Sequence, residues 1–147
     1  MAKVRVVTDS AAELAPEVAE SLGVTVVPMN IRFGDEELRD GIDISTDDFY
    51  RRVSRSRQMP VTAPPPFRSF QDVYSRVSQS TDQIISIHVS GRLSRSYHVA
   101  NAAAEANAAN ASLVAIRAAA LAPAAAAAAV ARRPVIRRLP RLQLKPR

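Results

Sequence analysis

The chain has 147 residues, 47% of them hydrophobic and none of them cysteine, which allows one domain with a real core and excludes a disulfide framework or a Cys-based zinc site. Its formal charge of +6 is unevenly placed: twelve basic and fourteen acidic residues precede residue 113, and eight basic residues with no acid follow. The basicity therefore belongs to the tail, and the part that reads as folded is mildly acidic.

No run of about 20 apolar residues is present, so no membrane span is expected. Residues 1–7 turn polar at Thr8 and are too short for a signal peptide, and a reducing cytoplasm is the expected setting. Residues 3–7 form a short β-branched run. Thr8-Asp9-Ser10 makes a polar turn before residues 14–22, a helix whose first turn suits Pro16. Gly23 stands where a helix C-terminal glycine belongs, and Val24-Thr25-Val26-Val27 follows at once. This is βαβ rhythm and favours a parallel sheet.

Asn30-Ile31-Arg32-Phe33 alternates into the acidic turn Gly34-Asp35-Glu36-Glu37, which predicts a hairpin across Gly34. Ser45 or Thr46 caps the next helix, with Asp47 and Asp48 at its positive end. The acids at 35–48 read as caps and solvated turns, since neither EF-hand spacing nor a histidine ligand accompanies them. Residues 59–66, MPVTAPPP, read as a stiff extended loop. Residues 67–77 carry apolar side chains at helical spacing. Ile84-Ile85-Ser86-Ile87-His88-Val89 is a strand that breaks at Ser90-Gly91-Arg92. Residues 94–111 then read as one alanine-strong helix and 112–116 as a further strand.

A strand that stops at a Ser/Gly turn and feeds a helix leaves hydroxyls and N–H groups where an anion can be held. Capping alone accounts for the same residues. His88 has no acidic partner at motif spacing and reads as structural; His98 reads as exposed. Neither a P-loop, nor triad spacing, nor a metal cluster is visible, so no enzyme is expected.

These blocks together resemble the DegV family of bacterial fatty-acid-binding proteins. The resemblance rests on Thr8-Asp9-Ser10 after a strand with Leu14-Ala15-Pro16, the Val-Val-Pro to Gly-Asp-Glu run at 26–36, and Arg39-Asp40-Gly41-Ile42-Asp43-Ile44 with Phe49-Tyr50. It continues with Pro60-Val61-Thr62-Ala63-Pro64-Pro65 and with the Ser-Ile-His to Ser-Tyr block at 86–97. It implies an α/β fold, a mostly parallel sheet with flanking helices, corresponding to the family's N-terminal domain. It also implies one long-chain fatty acid as ligand, with no cofactor, in a slot closed by a second domain. A separate fatty acid kinase subunit is implied as a partner for some members. The family's carboxylate contacts in this half carry over to Thr62 and Ser94. Two positions depart from the pattern: Ala63 replaces a serine donor, and Arg95 replaces a glycine and is expected to crowd the head group.

The resemblance covers residues 4–112, so the expected domains are 1–112, the α/β unit, and 113–147, an aberrant tail, partly helical or disordered. Those last 35 residues hold no glycine, acid or aromatic residue, as in a truncated or frameshifted copy. The second domain is therefore expected to be missing, the fold incomplete and fatty-acid binding impaired. The alternative function is a basic-tailed nucleic-acid-binding module.

Overall fold

The computed structural model describes residues 4–81, 83–107 and 112–117. Four parallel strands make the main sheet: β1 (Arg5–Asp9), β2 (Val24–Val27), β6 (Gln83–His88) and β7 (Ser112–Arg117), in the order β2-β1-β6-β7. Helix α1 (Pro16–Leu22) connects β1 to β2, and α4 (Ser96–Ala106) connects β6 to β7. The first connection moves outward on one side of β1 and the second outward on the other side of β6. The order in which strands are added thus reverses between β1 and β6, and at such a switch point the carboxyl ends of the strands open a crevice.

A second, three-stranded sheet is antiparallel, in the order β4-β3-β5, with β3 (Asn30–Phe33), β4 (Glu36–Arg39) and β5 (Val61–Ala63). The expected hairpin is there, with Phe33 opposite Glu36 and Gly34 at φ 61°. The expected loop at 59–66 is partly strand: Thr62 pairs with Ile31 and Ala63 with Asn30. The three residues between Pro60 and Pro64 keep their N–H groups, so they can join a ladder that the prolines on either side cannot extend.

The core lies between the parallel sheet and helices α3 (Phe67–Ser78) and α4. Phe70, Val73, Tyr74 and Val77 recur at i, i+3, i+4 and i+7, and all four are buried. They meet Val7, Val27 and Ile84 from the sheet and Ala100, Ala103 and Ala104 from α4. Alanine on α4 lets the two helices approach closely, while the bulk comes from α3. Each large apolar side chain buried here stabilises the fold by about 1.5–3 kcal/mol.

Local signals end most helices where the residues predict. Gly23 caps α1 at φ 65°, donating its N–H to Ala19 and Glu20. Ser45 is the residue that caps α2 (Thr46–Arg55), accepting the Asp48 amide. Helix α4 is shorter at both ends than expected. Strand β7 runs across residue 112, so the sheet takes up 113–117 as well. Of the tail expected at 113–147, residues 118–147 lie outside the described residues. Among the described residues no helix is long and apolar enough to cross a membrane.

Arg39 and Asp43 form a bidentate pair: Nε donates to Oδ2 and an Nη to Oδ1, each at 2.8 Å, and the Arg39 amide donates to Oδ2. These bonds, the guanidinium first and the amide next, hold the Asp43 carboxyl down at about 2. A lowered folded-state value means the pair stabilises above about pH 4, and that contribution fades as pH falls toward 2. An NMR titration of the Asp43 carboxyl is expected to show this midpoint. Asp43→Asn is expected to flatten the acid limb of the stability profile in the same window.

Candidate functional site

At the carboxyl ends of β1 and β6, three polar groups of the strands and Tyr74 from α3 join in one buried chain. Asp9 Oδ2 lies 2.6 Å from His88 Nδ1, His88 Nε2 lies 2.7 Å from Ser86 Oγ, and Ser86 Oγ lies 2.8 Å from Tyr74 OH. None of the four is more than 2% exposed. Parallel pairing of β1 with β6 sets Thr8 beside Ile87, which brings Asp9 level with His88. Ser86 and His88 share a face of β6 because strand side chains alternate.

Hydrogen-bond accounting fixes the direction of this chain. Among the described residues the Tyr74 hydroxyl meets Ser86 alone, so its hydrogen goes there. Ser86 then donates to His88 Nε2, and Nδ1 carries the ring proton and donates to Asp9. Asp9 accepts at both oxygens, Oδ1 taking the Ala11 amide at 3.1 Å. With this tautomer every donor in the chain is used. A doubly protonated ring would reverse the chain and strand the Tyr74 hydrogen in the core. Burial, opposed by the Ser86 bond and aided by the Asp9 charge, pushes the Tyr74 hydroxyl up to about 12. It therefore stays a donor across the working pH range.

The linkage Asp9, His88, Ser86 has the order of a hydrolytic triad. The surroundings do not permit that use. Ser86 is 0% exposed and its oxygen is shared with Tyr74, so no substrate carbonyl reaches it. Burial supports the reading of His88 as structural; it has no acidic partner at motif spacing, but the fold brings Asp9 to it. Asp9 lies 79 residues away in sequence. No motif spacing reveals such a pair; only the parallel register does.

The flanking residues of the Thr-Asp-Ser turn are fixed in the same way. Thr8 Oγ1 donates to the Ile87 carbonyl at 2.8 Å, and Ser10 Oγ accepts the Met29 amide at 3.0 Å. Beside them is a recess of about 190 Å³, walled by Thr8, Asp9 and His88 and by the apolar Ala12, Ile87, Val89 and Leu93, with Ser90 completing it. It sits at the switch point of the sheet.

Ser94 lies just beyond, in the turn that starts α4. Its hydroxyl donates to Ser96 Oγ at 3.0 Å and accepts the Ser96 amide at 3.2 Å. Its partner Ser96 is 1% exposed. Thr62 is exposed on β5, in the other sheet. Among the described residues no hydrogen bond joins Thr62 and Ser94. Arg95, where the family pattern has glycine, sits at φ −74°, a conformation open to any residue, and its side chain is exposed. The turn therefore does not demand glycine at 95. Among the described residues no group of three or more His, Cys, Asp or Glu side chains is arranged to hold a metal.

Gly91 is closely packed by neighbouring side chains. A Cβ there would lie 2.8 Å from His98 Nε2 and 3.0 Å from Tyr97 Cδ1. His98 is exposed and holds the Gly91 carbonyl at 3.1 Å. Gly91→Ala is expected to turn the His98 ring outward and cost about 1 kcal/mol, the worth of that hydrogen bond. Urea unfolding and the His98 ring resonances together check this.

A family model described as an uncharacterised protein of the DegV family matches residues 3–133. A DegV domain-containing protein of Halalkalibacterium halodurans is 36% identical over 101 residues, which is 68% of this chain and 36% of that protein. Protein DegV of Bacillus subtilis is 32% identical over 100 residues, with the same two shares. Among solved structures, a stearic acid-binding protein from Eubacterium ventriosum matches with a TM-score of 0.71 and 31% identity, over 78% of this chain and 41% of that one. The Bacillus subtilis DegV structure, titled a fatty acid binding protein, matches with a TM-score of 0.70 and 28% identity, over 79% and 40%. The chain thus spans 36% of these curated relatives and 40–41% of these solved chains.

Proposed function

The chain belongs to the DegV family, and on that premise we propose that it binds a long-chain fatty acid, as a carrier with no covalent chemistry and no cofactor of its own. The observation that carries this reading is the likeness, at 31% identity and a TM-score of 0.71, to a protein titled as binding stearic acid. The apolar recess at the switch point, next to the Ser94 turn, is consistent with it.

A carboxylate that leaves water must recover hydrogen bonds, and neutral hydroxyls supply them without a covalent step. Thr62 and Ser94 are assigned this role. Ser94 is already bonded to Ser96, so ligand binding would redirect a hydroxyl within that pair rather than recruit a free one. The acyl chain contributes most of the affinity, at about 0.8 kcal/mol per buried CH₂. The same reading presents the acyl carboxylate to a separate fatty acid kinase subunit in the cytoplasm. Ala63 provides no side-chain donor, and over the matched length the chain supplies one wall of a slot. Its affinity alone is therefore expected to fall below that of a full-length relative.

Displacement of a fluorescent fatty acid from the intact chain tests the reading. Saturable binding is expected, weakened roughly tenfold or more by Thr62→Ala and by Ser94→Ala, since a hydrogen bond to a charged group contributes about 1.5–3 kcal/mol. Absence of saturable binding would overturn the function. Binding indifferent to both substitutions would keep the function and move the carboxylate elsewhere.

A further inference from the structure

We propose that the groove between α2 and β3 binds a short acidic segment of a partner protein, held extended with a carboxylate at every second residue. The groove shares no lining residue with the recess at the switch point, and its use does not depend on the fatty-acid reading.

Charge is sharply sorted along this chain. Between Asp48 and Asp72 stand five arginines and no acid, whereas the rest of residues 1–112 holds seven basic and fourteen acidic side chains. Three of the five, Arg51, Arg52 and Arg55, line a groove of about 500 Å³ together with Phe33, Asp48 and Ser56. Arg52 lies over the Phe33 ring, 5.7 Å from its centroid, and its Nη1 donates to Glu36 Oε2 at 2.6 Å. Arg51 meets Asp48 at 3.1 Å, with both side chains more than half exposed. Among the described residues no ion pair engages Arg55. The Ser56 hydroxyl is committed to the Gln58 backbone, so guanidinium groups are what the groove offers. A cation in the last turn complements the helix dipole, which accounts for Arg52 and Arg55 singly. It does not account for their grouping with Arg51 around a half-buried ring.

Arg51 and Arg55 are four residues apart on one face of α2, about 6 Å along its axis. In an extended peptide, carboxylates two residues apart project to the same side, roughly 6–7 Å from each other. Each can then meet its own guanidinium. A long polyanion fits poorly. Asp48 lines the groove and Glu36 stands on Arg52, with Asp35, Glu37 and Asp47 beside them in the chain, all exposed. A nucleic-acid backbone or an anionic bilayer would continue past the arginines into these acids and be repelled. A short segment ends before it reaches them.

The test titrates the intact chain with two blocked tetrapeptides, glutamate-valine-glutamate-valine and glutamate-glutamate-valine-valine. The backbone amides of Phe33, Arg51, Arg52 and Arg55 are followed by ¹H–¹⁵N correlation spectra. Saturable shifts are expected, with the alternating peptide bound roughly threefold or more tightly, because only its carboxylates share a side. Arg51→Gln combined with Arg55→Gln is expected to weaken it roughly fivefold or more, the effect of losing two exposed charge pairs. Glu36→Gln frees Arg52 and is expected to tighten it roughly twofold, a gain that a damaged fold does not produce. Arg132→Gln with Arg133→Gln is expected to leave the α2 shifts as they are, which separates the groove from the basic tail. No shift at these amides, equal binding of the two peptides, or indifference to the double α2 variant would each overturn the proposal. So would weaker binding in Glu36→Gln, loss of the α2 shifts in the tail variant, or a tighter fit of oligothymidylate to the same amides.

Discussion

Replacing His88 with alanine is expected to cost about 3–5 kcal/mol, because it strips a hydrogen bond from a buried carboxylate and leaves the cavity of a packed ring. Asp9 would keep its Ala11 bond but lose the Nδ1–H that its other oxygen accepts. Ser86 would lose an acceptor at the same time. Water cannot easily replace either, because both side chains are buried. Urea unfolding measures the loss, and a cost under about 1 kcal/mol would show that the chain of bonds contributes little.

Two companion variants separate charge from packing. Tyr74→Phe removes only the outermost donor and is expected to cost about 1 kcal/mol. Asp9→Ala combined with His88→Ala removes the charge along with its partner. The double variant is expected to be less destabilised than the sum of its parts, because no buried ion is left behind. Strict additivity would mean that His88 acts by filling volume alone.

The sequence makes legible what is decided within a few residues. Pro16 and Gly23 bracket α1, Ser45 and its acids begin α2, and the Gly34 turn joins β3 to β4. Each is a local choice that the tertiary structure keeps. Strand β5 was hidden because prolines surround it and argue for a loop; its strand character comes from an edge on β3 that only the fold provides. The Asp9/His88 pair was hidden for a similar reason. Its members are neighbours through parallel register, and a signal read along the chain does not see across it. Thr62 and Ser94 are legible only through the family resemblance, because the residues of the turn fit an anion-holding helix start and a plain cap alike. In the structure Arg95 is the N-terminal cap residue of α4, without a side-chain cap bond, and Ser94 Oγ accepts the Ser96 amide in a local turn. What the sequence did indicate about the switch point was its chemistry, a strand ending in small polar residues before a helix.

Phe70→Ala is expected to be comparably severe, at about 3–5 kcal/mol, because it removes a ring that is 0% exposed from the middle of the core. Phe70 is also where the apolar core meets the polar chain. Its ring stacks on Tyr74 at 5.9 Å and 27°, and stands edge-on to His88 at 5.2 Å and 89°. The loss should therefore spread beyond the cavity, since two members of the hydrogen-bonded chain would lose the surface that sets their rotamers. A double-mutant cycle between Phe70→Leu and His88→Asn probes this with gentler changes, Asn keeping an N–H that can face Asp9. Residues in contact typically couple by about 0.5–3 kcal/mol, and a value in that range is expected here. A cycle that closes to zero would mean the ring fills space without orienting the imidazole. In that case the position of His88 is set by Asp9 and Ser86 alone, and the cost of Phe70→Ala is that of its cavity.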